Sequence, residues 1–348
     1  MNLDIYKDKG LSGLGNLGNT CFLNSCMQII SHTYELNDIL NVSKYKQYIN
    51  TKKVDSQILI EWDNLRKMLW NQNCIISPQK FVHTIQQVAN HKKQMIFTGY
   101  NQNDVAEFFI FIISSFHEAL SRQVNITIEG TIMNDKDKVA KMCFEKIKDM
   151  YSKDYSEIWK LFYGIHISQI TSLDEKTILS NTPEPYLTLS LPIPENNKSP
   201  TLKDCFNLYT NDEILDEANG RYNENTKKTE SVKKKLTFWS FPTILVIDIK
   251  RFNNKNEKNQ ILVNFPLENL NLSEYVYGYN KDSYVYDLYG VCNHSGGVNG
   301  GHYTAFIKNA NSKWYYFNDT NVSLIGTEQQ IITPSAYCFF YRKHNNKL

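Results

Sequence analysis

The chain lacks several features that would settle its class at once. No apolar run exceeds "FFIFII" at 108–113, far short of the roughly 20 residues that a bilayer span needs. Neither sign of charge dominates, because 38 basic and 36 acidic residues leave a formal net charge of +2. That balance implies no polyanionic partner, so neither nucleic acid nor a membrane is expected to be bound. The N-terminus "MNLDIYKDKG" is polar, and no secretory signal is read there. No two cysteines form a Cys-x-x-Cys pair. The seven thiols lie scattered at Cys21, Cys26, Cys74, Cys143, Cys205, Cys292 and Cys338. An odd, dispersed set argues against a disulfide framework and against a cysteine-rich metal site. It suits a reducing, intracellular compartment, cytoplasmic or nuclear. No internal repeat or low-complexity linker interrupts the chain.

What remains is ample for a core. The 348 residues are 41% hydrophobic and 13% aromatic, enough for one elaborate domain. The strongest basic run, "KKTESVKKK" from Lys227 to Lys235, reads as a solvated strand rather than a binding patch. The first third has helical periodicity over 20–32, 57–70, 78–89 and 102–120, with further helices expected at 137–150 and 154–163. Alternating patterns then take over in "FYGIHISQITSL", "PYLTLSLPIP" and "FPTILVIDIKRF", and from 284 to 341 almost everything reads as strand. A helical front joined to a sheet-rich back predicts an α+β fold with a cleft between the layers.

Two segments carry chemistry. "GLGNLGNTCFLNSCMQII", Gly13 to Ile30, places Cys21 where a helix begins, with Asn19 and Thr20 as candidate caps. A helix N-terminus favours a thiolate through its unsatisfied N–H groups and macrodipole. Cys21 is therefore expected to face outward as a nucleophile, with a buried structural thiol as the alternative. Cys26 falls on the apolar stripe and reads as core. The second segment, "GVNGGHYTAFIKNANSKWYYFND", opens a hairpin with His302. A turn centred between Ala310 and Asn311 would set His302 opposite Asp319. A slip of one residue would set Asn318 beside the imidazole instead. Either way a base has an orienting partner, as a nucleophilic cysteine requires.

Together these segments resemble the Cys box and His box of the ubiquitin-specific protease family of deubiquitinating cysteine proteases. Further similar stretches lie between and after them in order: "YNQNDVAEFFIFIISSFHEAL", "EPYLTLSLPIP", "FPTILVIDIKRF" and "SAYCFFYRK". The resemblance covers roughly 10–343. It implies a papain-like cysteine protease fold and a single catalytic domain over 1–348. A helical thumb is expected at about 10–163, fingers at 164–240 and a palm at 241–345.

The resemblance also implies residue roles. Cys21 matches the nucleophile, His302 the general base and Asn318 the third member of the triad, accepting from the imidazole Nδ1–H. Asp319, next along, is expected to assist or substitute. Asn16 matches the oxyanion-hole donor, its plainer alternative being a turn-forming side chain. Gln102, Asp104 and Glu107 match the substrate-tail helix, the two acids being candidates for arginines of the tail or else caps and solvated groups. Gly300 and Gly301 are expected to wall a channel that only glycine can pass, and His294 to lie near the cleft. The family's finger zinc site has no counterpart, since "TSLDE" (171–175) and "YNENTKK" (222–228) lack its cysteines. No metal or other cofactor is expected. The implied activity is hydrolysis after the C-terminal glycine of ubiquitin, with ubiquitin and ubiquitinated proteins as partners of a monomer. A protease for a ubiquitin-like modifier and a ubiquitin-binding module without catalysis are the alternatives.

Overall fold

Hydrophobic periodicity changes near residue 164, and the backbone changes with it. The computed structural model describes residues 2–42, 45–99, 101–224, 226–297 and 300–344; the expected domain's ends, 1 and 345–348, lie outside them. Among these, helices Cys21–Ser31, Ser56–Asn71, Gln79–His91, Val105–Leu120, Asp135–Asp154 and Glu157–Phe162 precede strand Gly164–Ser172. Helix Tyr34–Asn41 was not anticipated. Among the described residues, no helix is long and apolar enough to cross a membrane.

The largest sheet runs, in spatial order, through strands Asn321–Leu324, Trp314–Asn318, Gly300–Lys308, Val285–Gly297, Ala336–Lys343, Ile244–Lys250 and Thr188–Pro192. Its inner strand Ile244–Lys250, flanked on both sides, is buried on both faces, which explains the unbroken β-branched and apolar run in the sequence. One face packs on the helices through Ile244, Val246, Tyr303, Ala305 and Ile307. The other packs on helix Leu202–Thr210 and the chain at 263–276 through Leu245, Ile247 and Val291. A second sheet, of strands Ile178–Tyr186, Gly164–Ser172, Val232–Ser240 and Glu213–Leu215, projects from the first. Strand Val232–Ser240 contains Lys233 to Lys235, and Asp212 lies within 3.5 Å of Lys233 and 3.6 Å of Lys235. Lys233 also pairs with Glu175.

Helix Cys21–Ser31 lies between these layers. All eleven of its residues are buried, so the expected single apolar stripe is too narrow a description. Polar positions on it are consumed internally: Gln28 Nε2 donates to Ser12 O at 2.7 Å, and Ser25 Oγ to Phe22 O at 3.0 Å. A helix in this position carries its first residue to the seam between helical layer and sheet.

Candidate active site

Three chain segments meet at that seam. The loop before the helix is fixed first. Gly13 and Leu14 pair in parallel with Ile75 and Ile76, while Leu14 N donates to Asp319 O at 2.8 Å. A Cβ on Gly13 would lie 2.2 Å from Thr320 O, so only glycine admits this approach. The turn then passes through Gly18 and Asn19 at φ +99° and +54°.

Asn16 organises the turn. Its Oδ1 accepts from Gly18 N at 3.1 Å and Thr20 N at 3.2 Å, satisfying donors that a helix start leaves open. Thr20 occupies the cap position without a side-chain capping bond; its Oγ1 accepts from Leu17 N at 2.9 Å instead. The Asn16 Nδ2 donates to Asp319 Oδ2 at 2.9 Å, and Asn24 Nδ2 donates to Asp319 Oδ1 at 2.7 Å. Both oxygens of one carboxylate are therefore committed to two amides around the thiol.

Cys21 begins the helix and is 2% exposed, so it does not face outward as expected. Burial pushes its thiol above the ordinary value, against the smaller opposite effect of the Tyr303 backbone N–H. This runs against the expectation of a thiolate favoured by the helix tip, because burial is the largest influence on the thiol.

The hairpin supplies the base, in a register that neither expectation described. The ladder runs from Lys308↔Trp314 to Ala305↔Phe317. It stands one residue away from the first expected pairing, on the opposite side from the slip considered. The connection is the five-residue stretch Asn309–Lys313, closed by Asn309 N to Lys313 O at 2.9 Å, and this shifts the count. Continuing the ladder puts Asn318 across from Thr304, diagonal to His302 on the same face. His302 Nε2 and Asn318 Oδ1 are 2.7 Å apart. The amide oxygen therefore accepts from Nε2–H rather than Nδ1–H. Beyond Ala305 the two strands part, and there the Tyr303 N–H reaches the Cys21 sulfur. Thiol and imidazole thus flank a single peptide unit. Asp319 takes φ +48° and turns away to Asn16 and Asn24, which corrects the expectation that it might substitute for Asn318.

A cluster of polar and aromatic side chains lies on the helix-facing side of the strand. Asp104 caps helix Val105–Leu120, accepting from Ala106 N at 2.8 Å and Glu107 N at 3.1 Å. Its other oxygen accepts from Tyr337 OH at 2.5 Å, so the capping alternative describes Asp104 in this state. Tyr337 reaches it from a register shift, where Cys292 faces Cys338 but Asn293 faces Ala336, a bulge that re-aims one side chain. Glu107 is exposed, and partial desolvation and the Asp104 charge raise its pKa. Gln102 Nε2 donates to Gly301 O. His294, 3% exposed, stacks on Tyr303 with centroids 4.5 Å apart. Lys258 Nζ donates to its carbonyl at 2.6 Å. Burial, with Lys258 adding to it, lowers the His294 pKa to about 4. A Cβ on Gly301 would come within 2.4 Å of His294 Nε2, whereas Gly300 has nothing within 4 Å. Gly301 is therefore packed against its own chain, and Gly300 faces open space.

Asn24, Tyr337, Lys258 and the Tyr303 N–H were missed from sequence. Only Asn24 carried a signal, as a polar residue inside an apolar helix.

Among the described residues, His117, Glu118 and Asp154 are the one group close enough to hold a cation. Lys53 already supplies one there, with Nζ 2.6 Å from Glu118 Oε2. Trp159 Nε1 donates to His117 Nε2.

A cysteine at a buried helix start and an imidazole hydrogen-bonded to an asparagine amide are the residue types of the Cys-His-Asn arrangement of papain-like proteases. A family model described as ubiquitin carboxyl-terminal hydrolase matches residues 12–341, and the chain belongs to that family. It is 33% identical over 344 residues to ubiquitin carboxyl-terminal hydrolase 2 of Bos taurus, covering 96% of this chain and 55% of that one. Against the Gallus gallus protein of the same name it is 33% identical over 350 residues, covering 96% and 93%. The chain thus spans about half the length of the bovine relative. Among solved structures, the SAGA Ubp8/Sgf11/Sus1/Sgf73 DUB module bound to ubiquitin aldehyde matches with a TM-score of 0.73 and 24% identity. That match covers 99% of this chain and 72% of the other, and it bears on the fold, which is of the ubiquitin-specific protease type.

Proposed function

We propose that this chain is a deubiquitinating thiol hydrolase that cleaves the peptide or isopeptide bond after the C-terminal glycine of ubiquitin. The observation that carries the reading is the meeting of three groups at one helix start: Cys21, the His302–Asn318 pair at 2.7 Å and the Asn16 amide held at 2.9 Å by Asp319. His302 Nδ1 takes the thiol proton as the sulfur attacks the scissile carbonyl carbon. Negative charge then develops on the carbonyl oxygen, which the Asn16 amide and the helix-start N–H groups stabilise. The C–N bond breaks as the imidazolium returns its proton to the leaving lysine amine. Water, deprotonated by His302, attacks the thioester and releases the ubiquitin carboxylate, restoring the thiol. Asn318 fixes the ring tautomer without adding charge.

In this reading the tail of ubiquitin lies along Gln102, Glu107, Tyr337 and Gly301, with Glu107 the carboxylate left to meet an arginine. We infer further that a single chain acts, in a reducing compartment where its seven cysteines remain the free thiols recorded. The finger strands carry no zinc in this account, because Glu175–Lys233 and Asn223–Glu230 contacts tie their tips. Metal analysis of the purified protein checks this, and stoichiometric zinc would contradict it. The activity itself is tested by hydrolysis of a ubiquitin C-terminal aminocoumarin amide. Wild type should release the dye and Cys21→Ala should not. Release from a ubiquitin-like substrate alone would favour the other modifier, and binding without release would leave a ubiquitin-binding module.

A further inference from the structure

His302 lies where its strand loses one of its two neighbours. Strand Trp314–Asn318 pairs with Gly300–Lys308 only from Lys308 to Ala305. The neighbour on the other side, Val285–Gly297, stays paired as far as Gly300, with Ser295 facing His302. Alternate residues of an antiparallel strand turn their backbone groups to the same edge. The Tyr303 N–H meets the Cys21 sulfur, so the Gly301 C=O shares that edge with it. In an unbroken sheet the next strand would take both groups.

The helical layer takes them instead. Gln102 Nε2 donates to Gly301 O, and the Cys21 sulfur receives the Tyr303 N–H. Gln102 stands two residues before Asp104, the cap of helix Val105–Leu120, which is itself held by Tyr337 OH at 2.5 Å. Gly301 is packed closely from the other side, since a Cβ there would lie 2.4 Å from His294 Nε2 and 2.5 Å from Ser295 O. His302 is therefore held on both of its peptide units by the helical layer, and on its ring by Asn318 Oδ1 at 2.7 Å. The direction of the ring follows from the main chain that carries it.

We propose that Gln102 is a positioning residue for the base: by standing in for the missing strand at Gly301, it sets the main chain of His302 against the thiol. The inference rests on the hydrolase reading above. It gives Gln102 a task other than contact with the substrate tail, because its amide nitrogen is already bonded to the carbonyl just before the imidazole. Without that donor the Gly301 carbonyl turns toward water, and the peptide unit leading into His302 turns with it. A shift of about 1 Å in a reacting group can cost about 10² in rate.

The test uses Gln102→Leu, which keeps bulk without a donor, and Gln102→Lys, which keeps N–H donors at similar reach. Gln102 is half-buried in the segment before the helix, so neither change enters the core. Two assays are run on the full chain. One is hydrolysis of the aminocoumarin amide. The other is alkylation of Cys21 by iodoacetamide, in which the sulfur displaces iodide; it is followed by peptide mass mapping and needs no substrate tail. Gln102→Leu should lower kcat about fivefold or more with KM within about twofold of wild type, and should slow alkylation of Cys21 as His302→Ala does. Gln102→Lys should recover most of both losses, which a lost packing contact would not allow. A tail-binding amide would give the opposite pattern: alkylation unchanged, and a KM raised further by lysine than by leucine if the tail is basic. That pattern, a kcat or alkylation rate of Gln102→Leu within about twofold of wild type, or equal losses in both variants overturns the proposal. If wild type releases no dye, the hydrolase reading falls, and the alkylation rates still decide the role of Gln102. If wild type releases dye and Gln102→Leu matches it, only the positioning role falls.

Discussion

Replacing Asp319 by alanine should damage catalysis through a residue seventeen positions along from the imidazole without touching the imidazole itself. The carboxylate accepts from Asn16 at 2.9 Å and from Asn24 at 2.7 Å, two charge-assisted bonds of about 1.5–3 kcal/mol each. Asn24 keeps weaker contacts to Leu14 O and Gly15 O at 3.4 and 3.3 Å, so the helix should stay folded with a modest loss of stability. Asn16 keeps only the contacts of its oxygen, and its donor loses the group that aims it. Removing an oxyanion donor outright costs about 2.7–4 kcal/mol, or 10²–10³ in kcat. Asn16→Ala should show that loss, and Asp319→Ala should approach it. The double variant should be no worse than Asn16→Ala alone, a coupling as large as the whole Asp319→Ala loss and so up to about 2.7–4 kcal/mol. Asn318→Ala acts on the ring and should add to Asn16→Ala within about 0.5 kcal/mol. The assay is kcat/KM on the aminocoumarin amide for the three single and three double variants. Additivity of Asn16→Ala with Asp319→Ala, or strong coupling of Asp319→Ala to Asn318→Ala, would refute the assignment of Asp319 to the loop.

Two further outcomes follow from packing and charge. Gly301→Ala should cost about 1–3 kcal/mol of stability by overpacking, since the new methyl meets His294 Nε2 at 2.4 Å and Ser295 O at 2.5 Å. Gly300→Ala meets open space, and denaturant melts showing equal losses at both positions would count against this difference in packing. Asp248 is buried against Ser190 Oγ at 2.8 Å, and burial raises its pKa to about 6. Its folded value therefore exceeds the unfolded one. The stability it contributes is full below about pH 4 and is lost as pH rises through about 6, about 2–3 kcal/mol in all. Asp248→Asn should flatten that decline, so melts at pH 5 and pH 8 should differ less than in wild type; an unchanged difference would sink this reading.

Local signals were legible where local chemistry decides. Helix Leu202–Thr210 begins at a reciprocal capping box of Thr201 and Asp204, a signal that is local in the chain. The double-sided burial of Ile244–Lys250 was written in its apolar run. The identity of Cys21, His302, Asn318 and Asn16 as the groups that meet was legible through motif resemblance. Geometry that depends on long-range packing was not. Hairpin register turned on a loop closed by Asn309, the contacts of Asp319 on a positive φ, and the state of the thiol on burial under a layer more than 280 residues away in the chain. Asp104 shows the same limit: its capping role and its bond to Tyr337 cannot be separated from substrate recognition by sequence, because one carboxylate suits both.

The central claim is that the Cys21 sulfur attacks the carbonyl after ubiquitin's last glycine, with His302 as its base. Incubation with ubiquitin carrying a C-terminal vinyl electrophile, followed by peptide mass mapping, tests it most directly. The account predicts one adduct on Cys21, abolished by Cys21→Ala and strongly slowed by His302→Ala. Labelling at another of the seven cysteines, or at Cys21 with a rate indifferent to His302, would contradict it.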